Sequence, residues 1–160
     1  MKQIGNFGGS TTSGGTTKET ISKVKTSRET VTSSSTLQDD NDFTFSVKAN
    51  TTYAINGNLF VSAPSSGGIQ WLFAVPSGAS GRLNIDSGAS AFDGFDIDIT
   101  SGQSSSTNIV MTNPSQSGKL SGFVTTSSTA GTVTFQWSQQ TSNATATYIE
   151  RGSTMILTEV

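Results

Sequence analysis

From residue 37 onward the chain is cut into short apolar stretches, each closed by Gly, Ser, Asn or Pro, and several of them alternate strictly between apolar and polar residues. Period-two alternation is the signature of a strand with one buried face, and no stretch shows the three-to-four spacing of an amphipathic helix. In FTFSV, Phe43, Phe45 and Val47 share one face; in TTYAINGNLFVSA, Tyr53, Ile55, Leu59 and Val61 do; in GTVTFQWSQ, Val133, Phe135 and Trp137 oppose Thr134 and Gln136. GIQWLFAV is nearly continuous in apolar residues, the pattern expected of a strand buried on both faces, and Pro76-Ser77-Gly78 ends it with turn chemistry. RLNI, FDGFDIDI, TNIVMT, GKLSGFVTT, TATYIE and STMILTEV read as further strands, the last two joined by a turn at Arg151-Gly152. About nine or ten strands at roughly ten-residue spacing define a sandwich or jelly roll. A β-helix would need a fixed internal repeat, and none is visible. The expected fold is all-β: a single jelly-roll-like antiparallel β-sandwich over residues 37–160, preceded by an extended N-terminal arm over residues 1–36.

The arm differs in composition and charge. MKQIGNFGGSTTSGGTTKET is rich in Gly, Ser and Thr and would be flexible in isolation. Two later stretches are less so: TISKVKTS, with Ile21 and Val24, and RETVTSSST, whose β-branched residues around Val31 suit a first or edge strand. Lys2, Lys18, Lys23, Lys25 and Arg28 outnumber Glu19 and Glu29 here. The rest is acidic, with Asp39, Asp40, Asp42, Asp86, Asp93, Asp96, Asp98, Glu150 and Glu159. A basic arm on an acidic body suggests docking on an acidic surface, against the alternative that the lysines keep a tail soluble. Ile4 and Phe7 have no local core to join and suit anchors for a pocket on a neighbour; chance apolar residues are the alternative. On this reading the body folds without residues 1–27.

The missing residue types narrow the chemistry. The 160 residues include no histidine and no cysteine, and only 12% are charged. Disulfides and thiol chemistry are out, serine catalysis lacks its usual base, and neither GxSxG nor a phosphate loop occurs. The glutamates fall in the arm, a turn or the terminus, so no carboxylate pair is marked for glycoside hydrolysis. The chain is not expected to be an enzyme. A net charge of −2 gives no nucleic-acid signal, and no apolar run reaches membrane-spanning length. Met1-Lys2 is not followed by the apolar core of a signal peptide, so synthesis in a cytoplasm is expected, and the sequons at Asn50 and Asn143 then carry little meaning. Asp93, Asp96 and Asp98, and separately Asp39, Asp40 and Asp42, offer oxygen ligands for calcium, but neither spacing matches a calcium loop. The first set reads as a solvated strand face and the second as a turn, with no metal and no cofactor expected. The aromatic residues Trp71, Phe73, Phe135, Trp137 and Tyr148 read as core or trimer interface in preference to a sugar platform.

LQDDNDFTFSVKANTTYAINGNLFV resembles the opening of β-rich virion domains of tailed bacteriophages: an acidic turn, an apolar strand, then "AN-x-x-Y". TAGTVTFQWSQQTSNATATYIERGSTMILTEV resembles their close, with an "AGT" turn, an alternating strand ending in Gln-Trp, a Thr/Ala-rich strand and a "GS" turn before the last strand. The resemblance covers residues 37–160. It implies a jelly roll of the tumour-necrosis-factor and C1q kind, assembled as a homotrimer, in a capsid decoration protein, head fibre or tail fibre. The arm departs from the fibre pattern, because it lacks heptads or repeats. The expectation is therefore a virion protein on the capsid surface, made in the host cytoplasm. It would cement the shell by binding the major capsid protein through Ile4, Phe7, Lys18, Lys23, Lys25 and Arg28, with no nucleic-acid or membrane partner. A receptor-binding head fibre or tail tip is the alternative, and a lectin-like module comes third.

Overall fold

The computed structural model describes residues 17–86, 94–100 and 116–160. They form strands and turns without any helix. The strands are β1 (Thr20–Val24), β2 (Glu29–Val31), β3 (Gln38–Val47), β4 (Thr52–Ser62), β5 (Gln70–Ala74), β6 (Ser80–Asp86), β7 (Gly94–Thr100), β8 (Gln116–Thr125), β9 (Gly131–Ser138), β10 (Thr147–Ile149) and β11 (Thr154–Glu159). Every pairing is antiparallel. An eight-stranded sheet runs β1-β11-β4-β8-β6-β7, with β10 joining β4 to β2, and faces a three-stranded sheet ordered β3-β9-β5. The protein is an antiparallel β-sandwich, as the alternation requires.

The inward faces are those marked by alternation. Phe43 and Phe45 of β3, Trp71 and Phe73 of β5, and Val133, Phe135 and Trp137 of β9 come from the small sheet. Tyr53, Ile55, Leu59 and Val61 of β4, Leu120 and Val124 of β8, and Met155 and Leu157 of β11 come from the large one. Phe135 is the hub of the small sheet, with ring centroids of Phe43, Trp71 and Phe73 at 6.3, 6.3 and 5.3 Å. GIQWLFAV is not buried on both faces: β5 is an edge strand that buries Trp71 and Phe73 and leaves Leu72 and Ala74 half-buried outside. TNIVMT, the expected anchors Ile4 and Phe7, and Asp93 lie outside the described residues. Asp96 and Asp98 pair with Asn84 and Arg82 in the β7–β6 ladder.

The main departure from the sequence reading is at the expected arm boundary. Residues 20–24 and 29–31 belong to the sandwich: β1 pairs with β11 from Thr20↔Thr158 to Val24↔Thr154, and β2 pairs with β10. β10 and β11 lie end to end along β4, separated by the turn at Arg151-Gly152, where Gly152 takes φ +88°. β1 and β2 follow the same interrupted course one strand further out. Lys25 bridges the break: its N–H donates to Ser153 O at 2.7 Å and its carbonyl accepts from Gly152 N at 2.9 Å. Deleting residues 1–27 would therefore remove an edge strand, and the separable segment ends before β1.

The two ends of the sandwich differ. At one, Val160 N–H donates to Thr52 O, and the β3–β4 turn is tied by Asn50 N–H to Ser127 O. The "AN-x-x-Y" motif is explained here. Asn50 adopts φ +51°, a left-handed conformation that asparagine tolerates, and the Tyr53 hydroxyl accepts the Lys48 N–H at 3.0 Å. At the other end, the β2–β3, β4–β5 and β9–β10 loops are joined by hydrogen bonds from Ser33 N–H to Asn143 O and from Thr141 N–H to Gly67 O.

Candidate functional site: the N-terminal edge and its buried lysine

The basic residues of the expected arm divide sharply in the folded protein. Lys18 is exposed, and Lys23 is half-buried with its ammonium 5.6 Å from the Phe45 ring centroid. Arg28 stays at the surface. Its guanidinium forms two hydrogen bonds with Glu150, at 2.6 and 3.0 Å, and stacks 4.3 Å from the Tyr148 ring. The Glu150 hydrogen bond is the main reason its pKa is raised. Lys25 is 1% exposed, so its ammonium cannot dock on another protein.

Lys25 Nζ lies 2.7 Å from Glu29 Oε2, 2.7 Å from Asp40 Oδ2 and 3.7 Å from Asp42 Oδ2. Asp40 is 2% exposed. Its Oδ1 accepts the backbone N–H groups of Asp42 and Phe43 at 3.0 and 3.2 Å, and its Oδ2 also accepts Trp137 Nε1–H at 3.2 Å. Glu29 is held in turn by Gln38 Nε2 at 3.0 Å and Asn41 N–H at 3.1 Å. The Phe43 ring centroid is 5.6 Å from the ammonium. The Asp-rich segment 39–42 is thus not a solvated turn. It lies in β3 at a register shift between Asp39 and Thr44, which turns one carboxylate inward onto the lysine.

Electrostatics follow from two buried carboxylates facing one buried ammonium. Burial pulls the Lys25 pKa down, but the hydrogen bonds to Asp40 and Glu29 outweigh it and hold it above 10.5. Burial pushes Asp40 above 3.8 by more than the hydrogen bonds from Lys25 and the Asp42 N–H pull it back. Two carboxylates thus share one buried ammonium, and the net direction of the Asp40 pKa is upward, with burial as the largest cause.

The aromatic residues sort differently. Trp71, Phe73, Phe135 and Trp137 are interior to a single chain, and Tyr148 lies half-buried on the outer face beneath Arg28. On the outward face of the large sheet, Phe123 is 46% exposed beside Arg82, Asn84 and Ser121, around a groove of about 320 Å³ floored by Gly122. A Cβ at Gly122 would strike the Arg82 carbonyl oxygen, so the close approach of β6 and β8 requires glycine there. Sequence reasoning did not single out Phe123; its place opposite buried Val124 in the alternation of β8 was the available signal. Among the described residues no group of three or more acidic residues is placed to hold a metal ion.

No protein-family model matches this chain, and no curated protein does. Among solved structures, it is similar to chains from infectious bursal disease virus. For the Gx strain, identity is 15% over 89% of this chain and 35% of that one, with a TM-score of 0.20. For the Gt strain the values are 11%, 90%, 38% and 0.25. For the VP2 subviral particle they are 14%, 90%, 38% and 0.24. The chain spans little more than a third of the length of these structures, and TM-scores this low carry no argument about function.

Proposed function

We propose that the protein is a structural component of a bacteriophage virion that decorates and stabilises the capsid, with a trimeric β-body and an N-terminal segment that binds the major capsid protein. The observation that carries this reading is the attachment of β1. The Gly/Ser/Thr-rich segment with Ile4 and Phe7 joins the body at a strand paired through five consecutive residues with β11 and locked at its far end by Lys25. Tension along β1 loads all those rungs together, so a load on the N-terminal segment passes into the large sheet. The sequence resemblance of residues 37–160 to phage virion domains points the same way. Lys18 is exposed and free to dock; Lys25 is not. The role is mechanical, and no turnover chemistry belongs to it.

A ligand that binds only the assembled shell stabilises it by linkage. Particles lacking this protein should assemble and adsorb to cells normally but rupture at lower temperature, and adding back the protein without residues 1–16 should not restore them. The Phe123 groove favours the other reading, a receptor-binding head fibre or tail tip. Intact particles that fail to adsorb would select that one. Light scattering tests the trimer: a monomeric body would remove the multivalency on which tight decoration depends.

A further inference from the structure

We infer that Lys25 and Asp40 condense spontaneously within the folded chain to form an intramolecular amide, with Glu29 as the proton carrier. The parts of an acyl-transfer centre are assembled around these two side chains. The nucleophile, Lys25 Nζ, sits 2.7 Å from Asp40 Oδ2 and so beside the carboxyl carbon. Asp40 Oδ1, the oxygen that would carry negative charge in the tetrahedral intermediate, already accepts two backbone N–H groups, from Asp42 and Phe43. Fixed donors of this kind stabilise an oxyanion at no cost in reorganisation. Asp40 Oδ2, the departing oxygen, accepts Trp137 Nε1–H at 3.2 Å. Glu29 Oε2 is 2.7 Å from Nζ, within reach of the proton that must leave it. Water is excluded, since Lys25 and Asp40 are 1% and 2% exposed.

The step balances without a co-reactant. Burial raises the Asp40 pKa, and the step runs through its carboxylic-acid form, while Lys25 cedes one ammonium proton to Glu29, 2.7 Å away. The amine attacks Cγ, forming the Nζ–Cγ bond and placing negative charge on Oδ1. The new N–H proton assists departure of the Oδ2 hydroxyl, the Cγ–Oδ2 bond breaks, and one water leaves. The amide keeps one N–H, and Glu29 keeps the proton it received. Nothing is oxidised or reduced. In water this condensation is opposed by the solvation of both ions. Here that solvation is already lost, and the product replaces a buried ion pair with a neutral amide. Holding both groups in contact removes the entropic cost of bringing them together.

Asp40 is favoured over Glu29 as the acyl partner because only Asp40 combines two backbone donors on one oxygen with the indole donor on the other. The bond would tie the N-terminal edge of the large sheet to β3 of the small one. It would be indifferent to reductants in a chain that has no cysteine to form a disulfide.

Mass spectrometry of the full-length denatured chain tests this directly. The expected mass is one water below that of the sequence, with fragmentation placing a junction between the segments carrying Lys25 and Asp40. Lys25→Ala should restore the sequence mass, and Glu29→Gln should leave most of the chain uncondensed. The Asp93-Gly94 pair can also lose water by cyclising, so the position of the loss is part of the result. A wild-type chain at the full sequence mass, a loss mapped to residues 93–94, or a link to Glu29 would each overturn the proposal, and the wild-type measurement decides even where a variant fails to fold. Unimpaired condensation in Glu29→Gln would overturn the assignment of the proton carrier.

Discussion

β1 is flanked at each end by one lysine and two close acids, one cluster buried in a network of further donors and the other exposed. At its far end Lys25 meets Glu29 and Asp40 in the interior. At its near end Lys48 meets Glu19 at 3.0 Å and Glu159 at 2.9 Å in the open. Both clusters raise the pKa of the lysine. For Lys48 the hydrogen bonds to Glu159 and Glu19 act almost unopposed, whereas for Lys25 they must first overcome burial. The same three charges therefore do different work. The exposed set trades water for partners at nearly equal value, and the buried set has no water to fall back on.

The largest effect should come from breaking the buried set. Lys25→Ala removes the cation, and with it the inferred amide, leaves Asp40 and Glu29 facing each other, and should cost at least about 3–5 kcal/mol of stability, read by denaturant unfolding. Equal shifts for Lys25→Ala and Lys48→Ala would show that burial is not what separates the clusters. Trp137→Phe keeps the ring in the core but removes the indole donor to Asp40. Leaving a buried acceptor without its donor costs about 1–3 kcal/mol, so a loss within that range is expected in the same assay. Lys48→Ala should leave the unfolding midpoint unchanged within error. The finest probe is the titration of Glu159, which the Lys48 hydrogen bond holds below 4.5. A lowered carboxylate contributes stability above its unfolded value and loses it as pH falls through the folded one. A carboxyl-detected NMR titration should place the Glu159 midpoint below 4.5, and Lys48→Ala should move it upward. A midpoint unmoved by that substitution would mean that the exposed contact does not persist in solution.

The body was readable because its strands place large apolar residues at every second position, and Phe43 to Val47 or Val133 to Trp137 admit no other pattern. β1 was not readable for the opposite reason. Its inward positions are Ile21 and Lys23, and a lysine that packs over Phe45 looks polar in sequence while its stem behaves as apolar surface. Ile21 and Val24 then seem unpatterned, and Val24 is in fact 53% exposed. The start of β3 was missed because its register shifts between Asp39 and Thr44, so alternation begins only at Phe43. The over-reading of β5 has a simple cause: an apolar run cannot distinguish a central strand from an edge strand with half-covered outer residues. At the candidate site, Lys25 was singled out as basic, but its burial depends on Asp40, fifteen residues away, and no local signal marks which of three neighbouring aspartates turns inward.

The pairing of Val160 with Thr52 and of Tyr148 with Ser62 has a vectorial consequence. β4 runs from one pole of the sandwich to the other, and at about 3.3 Å per residue its eleven residues separate the poles by roughly 33 Å. The entry of β1 and the exit of β11 sit together at the first pole. The three hydrogen-bonded loops, with Ser66 and Asn143 in contact at 2.7 Å, form the second. A peptide grafted between Ser65 and Gly67, or between Thr141 and Thr145, would stand at the opposite pole from the start of β1. The molecule thus has two distinct ends, set by strand direction alone.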